Sequence, residues 1–123
     1  MKTGKKKILL VEDTIEILQN LAEFLQMEGF EITTAGNGKE ALLKLSEAVP
    51  DLIITDLLMP LMTGFELIKE LKNRKDWSKI PILVFSARPL EDETGIEEIG
   101  ADRFILKPSP PDDILKIVKE LIN

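Results

Sequence analysis

Five separated side chains carry groups that could share one reaction: the adjacent acids Glu12 and Asp13, the carboxylate of Asp56, the hydroxyl of Ser86 and the ammonium of Lys107. Two carboxylates about 4 Å apart repel by roughly 4 kcal/mol at an effective dielectric near 20. Three of them sharing a site therefore need compensation. A divalent cation with oxygen ligands supplies it most simply, and Mg²⁺ is the hard cation that tolerates a few carboxylates together with waters and phosphate oxygens.

Each of these groups directly follows a short apolar run: Lys7 to Val11 before Glu12 and Asp13, Leu52 to Thr55 before Asp56, Ile82 to Phe85 before Ser86, and Phe104 to Leu106 before Lys107. The adjacent Ile53 and Ile54 predict a strand covered on both faces, and Pro60 stops the ladder beyond Asp56. A parallel sheet would bring the four strand ends to one rim, the carboxyl edge at which open α/β sheets bind ligands.

The intervening segments read as helices. Asp13 and Glu16 are spaced as a helix start, Ile17, Leu21, Phe24 and Leu25 form a core face, and Gly29 supplies the stop. Ile15, Leu18 and Ala22 make a second apolar strip, either a broadening of the core or a docking surface for a partner. Glu31 to Ala35 predicts a strand near an edge. Asn37 with Glu40 predicts a capped helix over Ala41, Leu42 and Leu45, ending near Ala48. Thr63 and Glu66 repeat that spacing before Phe65, Leu67, Ile68 and Leu71, a helix reaching about Asn73. Trp77 is expected to cover the edge of the core. Pro89, the acidic run Glu91, Asp92 and Glu93, and Gly95 leave only a short, poorly ordered helix before Gly100. Ser109 as cap, Pro110 in the first turn and Asp112 against the dipole open the last helix, whose inner face is Ile114, Leu115, Ile117, Val118, Leu121 and Ile122. Five strands alternating with five helices imply a three-layer α/β domain.

Composition bounds the function. The 123 residues suit one domain spanning 1–123, with residues 1–6 a basic tail. A net charge of −6 argues against direct nucleic-acid binding, because phosphate backbones need a positive footprint. No apolar run approaches the roughly 20 residues that span a bilayer, so no membrane role is expected. The absence of cysteine excludes disulfides and thiolate metal sites and fits a cytoplasmic protein.

The pattern Glu12-Asp13, Asp56, Ser86-Ala87 and Lys107-Pro108, with Met59-Pro60 and Thr63-Gly64 after the central Asp, resembles the receiver domain of two-component response regulators over about Lys6 to Ile122. The resemblance implies a doubly wound, flavodoxin-like (βα)5 fold with strand order 2-1-3-4-5 and a site between strands one and three. It implies that Asp56 accepts a phosphoryl group from a phosphohistidine of a histidine kinase or histidine phosphotransfer protein. Mg²⁺, or Mn²⁺ as a substitute, would be held by Asp13, Asp56 and the Leu58 backbone carbonyl, with Glu12 acting directly or through water. Lys107 would contact the phosphoryl group, and its bond to Pro108 would be cis. Ser86 and Phe104 would form the switch, Ala87 would leave room for the donor, and Leu58 and Arg88 would tune autodephosphorylation. Ile15, Leu18 and Ala22 become candidates for kinase docking, and an output partner or a separate effector domain would read the switch. Such a domain is a self-phosphorylating switch rather than an enzyme acting on others. Glu12 stands where the family often has Asp, and apolar Leu58 cannot orient an attacking water, so slow hydrolysis is expected. Two rivals are a receiver-shaped interaction module that is never phosphorylated and a haloacid-dehalogenase-like phosphatase. The phosphatase needs a second Asp two residues after the first, where this chain has Leu58.

Overall fold

The computed structural model describes residues 4–87, 95 and 99–122. In chain order the elements are β1 (Lys7–Val11), α1 (Ile15–Met27), β2 (Glu31–Ala35), α2 (Gly38–Glu47), β3 (Leu52–Thr55), α3 (Gly64–Asn73), β4 (Ile82–Ser86), β5 (Arg103–Leu106) and α4 (Pro111–Ile122). The expected short helix before Gly100 lies largely outside the described residues, as does Arg88.

The strands form one parallel sheet in the order β2-β1-β3-β4-β5. The winding reverses at β1, which pairs with β2 on one side and β3 on the other. The alternation of a strand splits each apolar run between two cores. Leu9, Val11, Ile53, Ile82 and Val84 pack on one face with Ala41 and Leu45 of α2 and Leu67, Ile68 and Leu71 of α3. Ile8, Leu10, Leu52, Ile54 and Leu83 pack on the other with Leu21 and Leu25 of α1 and Ile114 and Val118 of α4. Burying both faces is why β1, β3 and β4 read as continuous apolar segments.

Local chemistry sets most of the boundaries. Gly29 takes a φ of +98°, the left-handed geometry that ends α1. Asn37 accepts a bond from the Glu40 amide at 2.9 Å and caps α2. Gly38, the first residue of α2, meets Met62 of the β3–α3 loop so closely that a Cβ there would lie 2.7 Å from Met62 Cγ. Trp77 is buried against the α2/α3 core, with the Arg74 guanidinium 4.7 Å from its ring centre.

Two expectations need correction. Asp13 does not cap α1: the capping position is Thr14, which makes no side-chain capping bond, and Glu12 rather than Asp13 takes the Thr14 amide. Ser109 does not cap α4 either. Its hydroxyl donates to the Leu106 carbonyl at 2.6 Å, and the helix opens at Pro111, whose missing N–H is an unbonded position in any helix. The second apolar strip of α1, left open between a broadened core and a docking surface, is divided between the two. Ile15 is 65% exposed, Leu18 is half-buried against the α1/α4 core and Ala22 is buried.

Candidate functional site

The ends of β1, β3, β4 and β5 bring Glu12, Asp13, Asp56, Ser86 and Lys107 to one rim. One carboxylate oxygen each from Glu12, Asp13 and Asp56 lie within 4.8 Å of one another. These residues arrive together because the strand ends are in register: Val11 is level with Thr55, and the Asp56 amide donates to the Val11 carbonyl at 3.2 Å. The Lys107 amide likewise donates to the Ser86 carbonyl at 2.9 Å, fixing the lysine's backbone to the end of β4.

The Asp56 side chain is held on every side. Its Oδ1 accepts from the amides of Leu57 at 2.6 Å and Leu58 at 3.3 Å, and its Oδ2 accepts from Lys107 Nζ at 2.8 Å. The Ser86 hydroxyl bonds the same carboxylate. Behind it, Thr55 Oγ1 donates to the Asp56 carbonyl at 2.8 Å, and Gly64 packs so close that a Cβ would lie 2.7 Å from Leu57 Cα. Burial pushes the Asp56 carboxyl up, but the bonds from Lys107 and Ser86 outweigh it and hold the group below the usual carboxylate range. Asp56 is thus ionised while nearly inaccessible.

Lys107 Nζ also donates to Glu12 Oε1, and it sits 5.2 Å from the centre of the Phe85 ring. The Glu12 side chain is only 3% exposed and that of Lys107 12%, so this pair lies behind the rim, whereas Asp13 is exposed. Burial pushes the Glu12 carboxyl above its usual value despite the lysine. Burial depresses the Lys107 ammonium, but its bonds to Asp56 and Glu12 prevail and its pKa is raised. One ammonium against three carboxylates leaves the group in formal excess of negative charge. That excess, presented by oxygen donors alone, suits a hard divalent cation rather than a soft one.

Of the other expected residues, Leu58 is 53% exposed and Ala87 is exposed at the end of β4. Phe104 is half-buried and packs on the α2/α3 core. The Lys107–Pro108 peptide is cis. Three features were not foreseen. Glu12 pairs with Lys107, Phe85 floors the lysine, and the loop after Asp56 turns tightly at Leu61. There Met62 N–H bonds the Pro60 carbonyl at 2.7 Å with Leu61 at a φ of +68°, the strained positive-φ form of a γ-turn. The alternation of β4 could have placed Phe85 beside the lysine, but nothing in the sequence marks Leu61.

Comparison with known proteins bears on the family and the fold. The profile of the response regulator receiver domain matches residues 8–119. The probable transcriptional regulator ycf29 of Pyropia yezoensis is 37% identical over 94% of this chain and 53% of its own length. The chain therefore spans about half the length of that relative. Among solved structures, the chemotaxis response regulator CheY4 of Vibrio cholerae aligns at a TM-score of 0.89 with 35% identity, over 96% of this chain and 99% of its own. The response regulator TrrA of Thermotoga maritima, solved in complex with Mg²⁺-BeF, aligns at 0.83 with 35% identity over 94% and 98%.

Proposed function

Because the chain belongs to the response regulator receiver domain family, we propose that Asp56 is its phosphoacceptor, taking a phosphoryl group from a phosphohistidine of a histidine kinase or histidine phosphotransfer protein. The observation that carries this reading is the convergence on one buried, ionised carboxylate of the Ser86 hydroxyl and the Lys107 ammonium, with two further acids within 4.8 Å.

In the transfer, a carboxylate oxygen of Asp56 forms a bond to phosphorus while the P–N bond to the donor imidazole breaks, its electron pair remaining on the ring nitrogen. The product on this chain is an acyl phosphate. Asp13 and Asp56, with the Leu58 carbonyl and with Glu12 directly or through water, would hold Mg²⁺, or Mn²⁺ in its place. When bound, the cation offsets charge on the phosphoryl oxygens. Lys107 exchanges its bond to Asp56 for one to the incoming phosphoryl oxygens, and Ser86 does the same with its hydroxyl. Ala87, small and exposed, leaves the approach open. Drawing Ser86 toward the phosphoryl group pulls its loop, and Phe104 turns into the space released.

Exposed, apolar Leu58 offers no hydrogen bond to an attacking water, so the acyl phosphate is long-lived; Arg88 is the second residue assigned to that tuning. Ile15, exposed at the start of α1, and its half-buried neighbour Leu18 belong to the face that meets the donor. An output partner, or an effector domain outside this chain, reads the change. The site is cytoplasmic, where phosphohistidine donors act; none of the described helices is long and apolar enough to cross a membrane.

Incubation with acetyl phosphate and Mg²⁺ tests the proposal. Intact-mass spectrometry should show one added phosphoryl group, lost in Asp56→Asn. An unmodified wild-type chain would leave an interaction module that is never phosphorylated, and rapid continuous phosphate release would point to a phosphatase.

A further inference from the structure

The loop between β3 and α3 is anchored at both ends and strained in the middle. At its start the amides of Leu57 and Leu58 donate to Asp56 Oδ1 at 2.6 and 3.3 Å, so its first residues hang on the carboxylate itself. At its end the Gly64 amide donates to the Leu57 carbonyl at 2.9 Å and draws the two ends together. Between them Leu61 holds a φ of +68° with a side chain that is 73% exposed, so the anchors on either side, rather than its own packing, keep it there. The next residue, Met62, is half-buried and bears on Gly38, the buried first residue of α2. A Cβ at Gly38 would lie 2.8 Å from Met62 Cβ and 3.0 Å from the Met62 carbonyl oxygen, so loop and helix meet through backbone as well as side chain. The first turn of α2 is itself tied together, because Asn37 accepts from the Glu40 amide while the Gly36 amide donates to Glu40 Oε2 at 3.3 Å. A push at Gly38 is therefore shared by the whole turn.

We propose that the first turn of α2 is a second readout of Asp56, moved by Met62 against Gly38 and separate from the switch at Ser86 and Phe104. It rests on the phosphoacceptor reading for its trigger, though the contact itself does not. The bonds from the Leu57 and Leu58 amides are strong because their acceptor is charged. Joining either oxygen of Asp56 to phosphorus removes that carboxylate charge, so the two bonds weaken whichever oxygen reacts. The hold on Leu61 then slackens, and a residue kept at positive φ has a lower-energy conformation to relax into. Gly64, pressed against the Asp56–Leu57 backbone, fixes the far end of the loop, so the displacement falls on Met62 and through it on Gly38. The two readouts leave the site in opposite directions. Ser86 and Phe104 lie on β4 and β5, to one side of β3, whereas α2 packs on β1 and β2, to the other. The change at Asp56 thus reaches the half of the sheet that the Ser86 loop does not touch, on a helix whose outer side carries Leu43, 66% exposed.

Amide ¹H–¹⁵N spectra of the chain with Mg²⁺, before and after addition of beryllofluoride as a stand-in for the phosphoryl group, test the coupling in both directions. In wild type the amides of Gly38, Lys39 and Ala41 should shift together with those of Leu57, Ser86 and Lys107. In Met62→Ala the α2 shifts should fall at least about threefold while those of Ser86 and Lys107 stay, and Met62→Leu should restore them. Coupling between two sites is reciprocal, so without beryllofluoride Gly38→Ala should shift the Leu57 and Leu58 amides. Adding Met62→Ala to that variant should remove most of the shift. The comparison of Met62→Ala with Met62→Leu decides the matter where Gly38→Ala does not fold. Shifts of wild-type size at α2 in Met62→Ala, or α2 amides that stay still while Ser86 and Lys107 respond, would overturn the proposal. Amides of Leu57, Ser86 and Lys107 that all ignore beryllofluoride would instead defeat the phosphoacceptor reading and the second readout with it, a pattern distinct from either of those.

Discussion

Helices α1 and α3 both follow strands that end in the acids of the site, yet they begin in opposite ways. α3 opens with a complete capping box: Thr63 Oγ1 accepts from the Glu66 amide at 3.2 Å and the Glu66 carboxylate accepts from the Thr63 amide at 3.0 Å. α1 opens at Thr14 with no side-chain cap, and the acid that takes the Thr14 amide, Glu12, spends its other oxygen on Lys107. Local stabilisation is complete where the chain has left the site and given up where the acids are needed for charge. Natural sequences break local rules at functional sites in this way, and the breach at α1 marks which acids are committed.

The contrast can be broken most severely at the entry to α3. Gly64→Ala forces a methyl group against the Asp56–Leu57 backbone and is expected to cost about 3 kcal/mol in urea unfolding, because backbone cannot yield as a side chain does. Next comes the cap itself. Thr63→Ala should cost about 1 kcal/mol, whereas Thr14→Ala should stay within about 0.5 kcal/mol; equal losses would erase the distinction. Replacing the left-handed Leu61 by Gly relieves a strained turn on the α3 side, for a gain of about 0.5 kcal/mol after the greater flexibility of glycine is counted.

The smallest effect is also the sharpest, since the two helix starts respond to pH in opposite directions. Hydrogen bonds from Thr63 hold Glu66 below its ordinary 4.5, so its contribution is present above 4.5 and is lost as pH falls through the lower folded value. Burial raises Glu12, so its contribution is present below 4.5 and is lost as pH rises through the folded value. Melting curves taken across this range should show wild type losing its advantage over Glu66→Gln in acid. Against Glu12→Gln, wild type should instead lose ground as pH rises above 4.5.

Much of this was legible because the signals were local. Apolar runs ending in polar groups placed β1, β3 and β4, and the spacing of Asn37 with Glu40 and of Thr63 with Glu66 placed two helix starts. What failed was competition between local and distant partners. Asp13 and Ser109 have the right types and positions to cap, but Asp13 is drawn into the acidic cluster, and Ser109 turns back to the Leu106 carbonyl. Ala22 belongs to the apolar strip by period, yet its small side chain lies on the buried flank of α1 while Ile15 reaches solvent. The pairing of Glu12 with Lys107 spans 95 residues, and no spacing rule reaches that far.

The burial of Trp77 against the α2/α3 core has one more consequence. The chain contains one tryptophan and no tyrosine, so its near-ultraviolet emission comes from a single indole at the corner between α3 and β4. That indole is wedged beneath the Arg74 guanidinium, away from the strand ends that hold the acids. Light emitted from this chain is therefore a built-in gauge of how far a disturbance at the rim travels into the body of the protein.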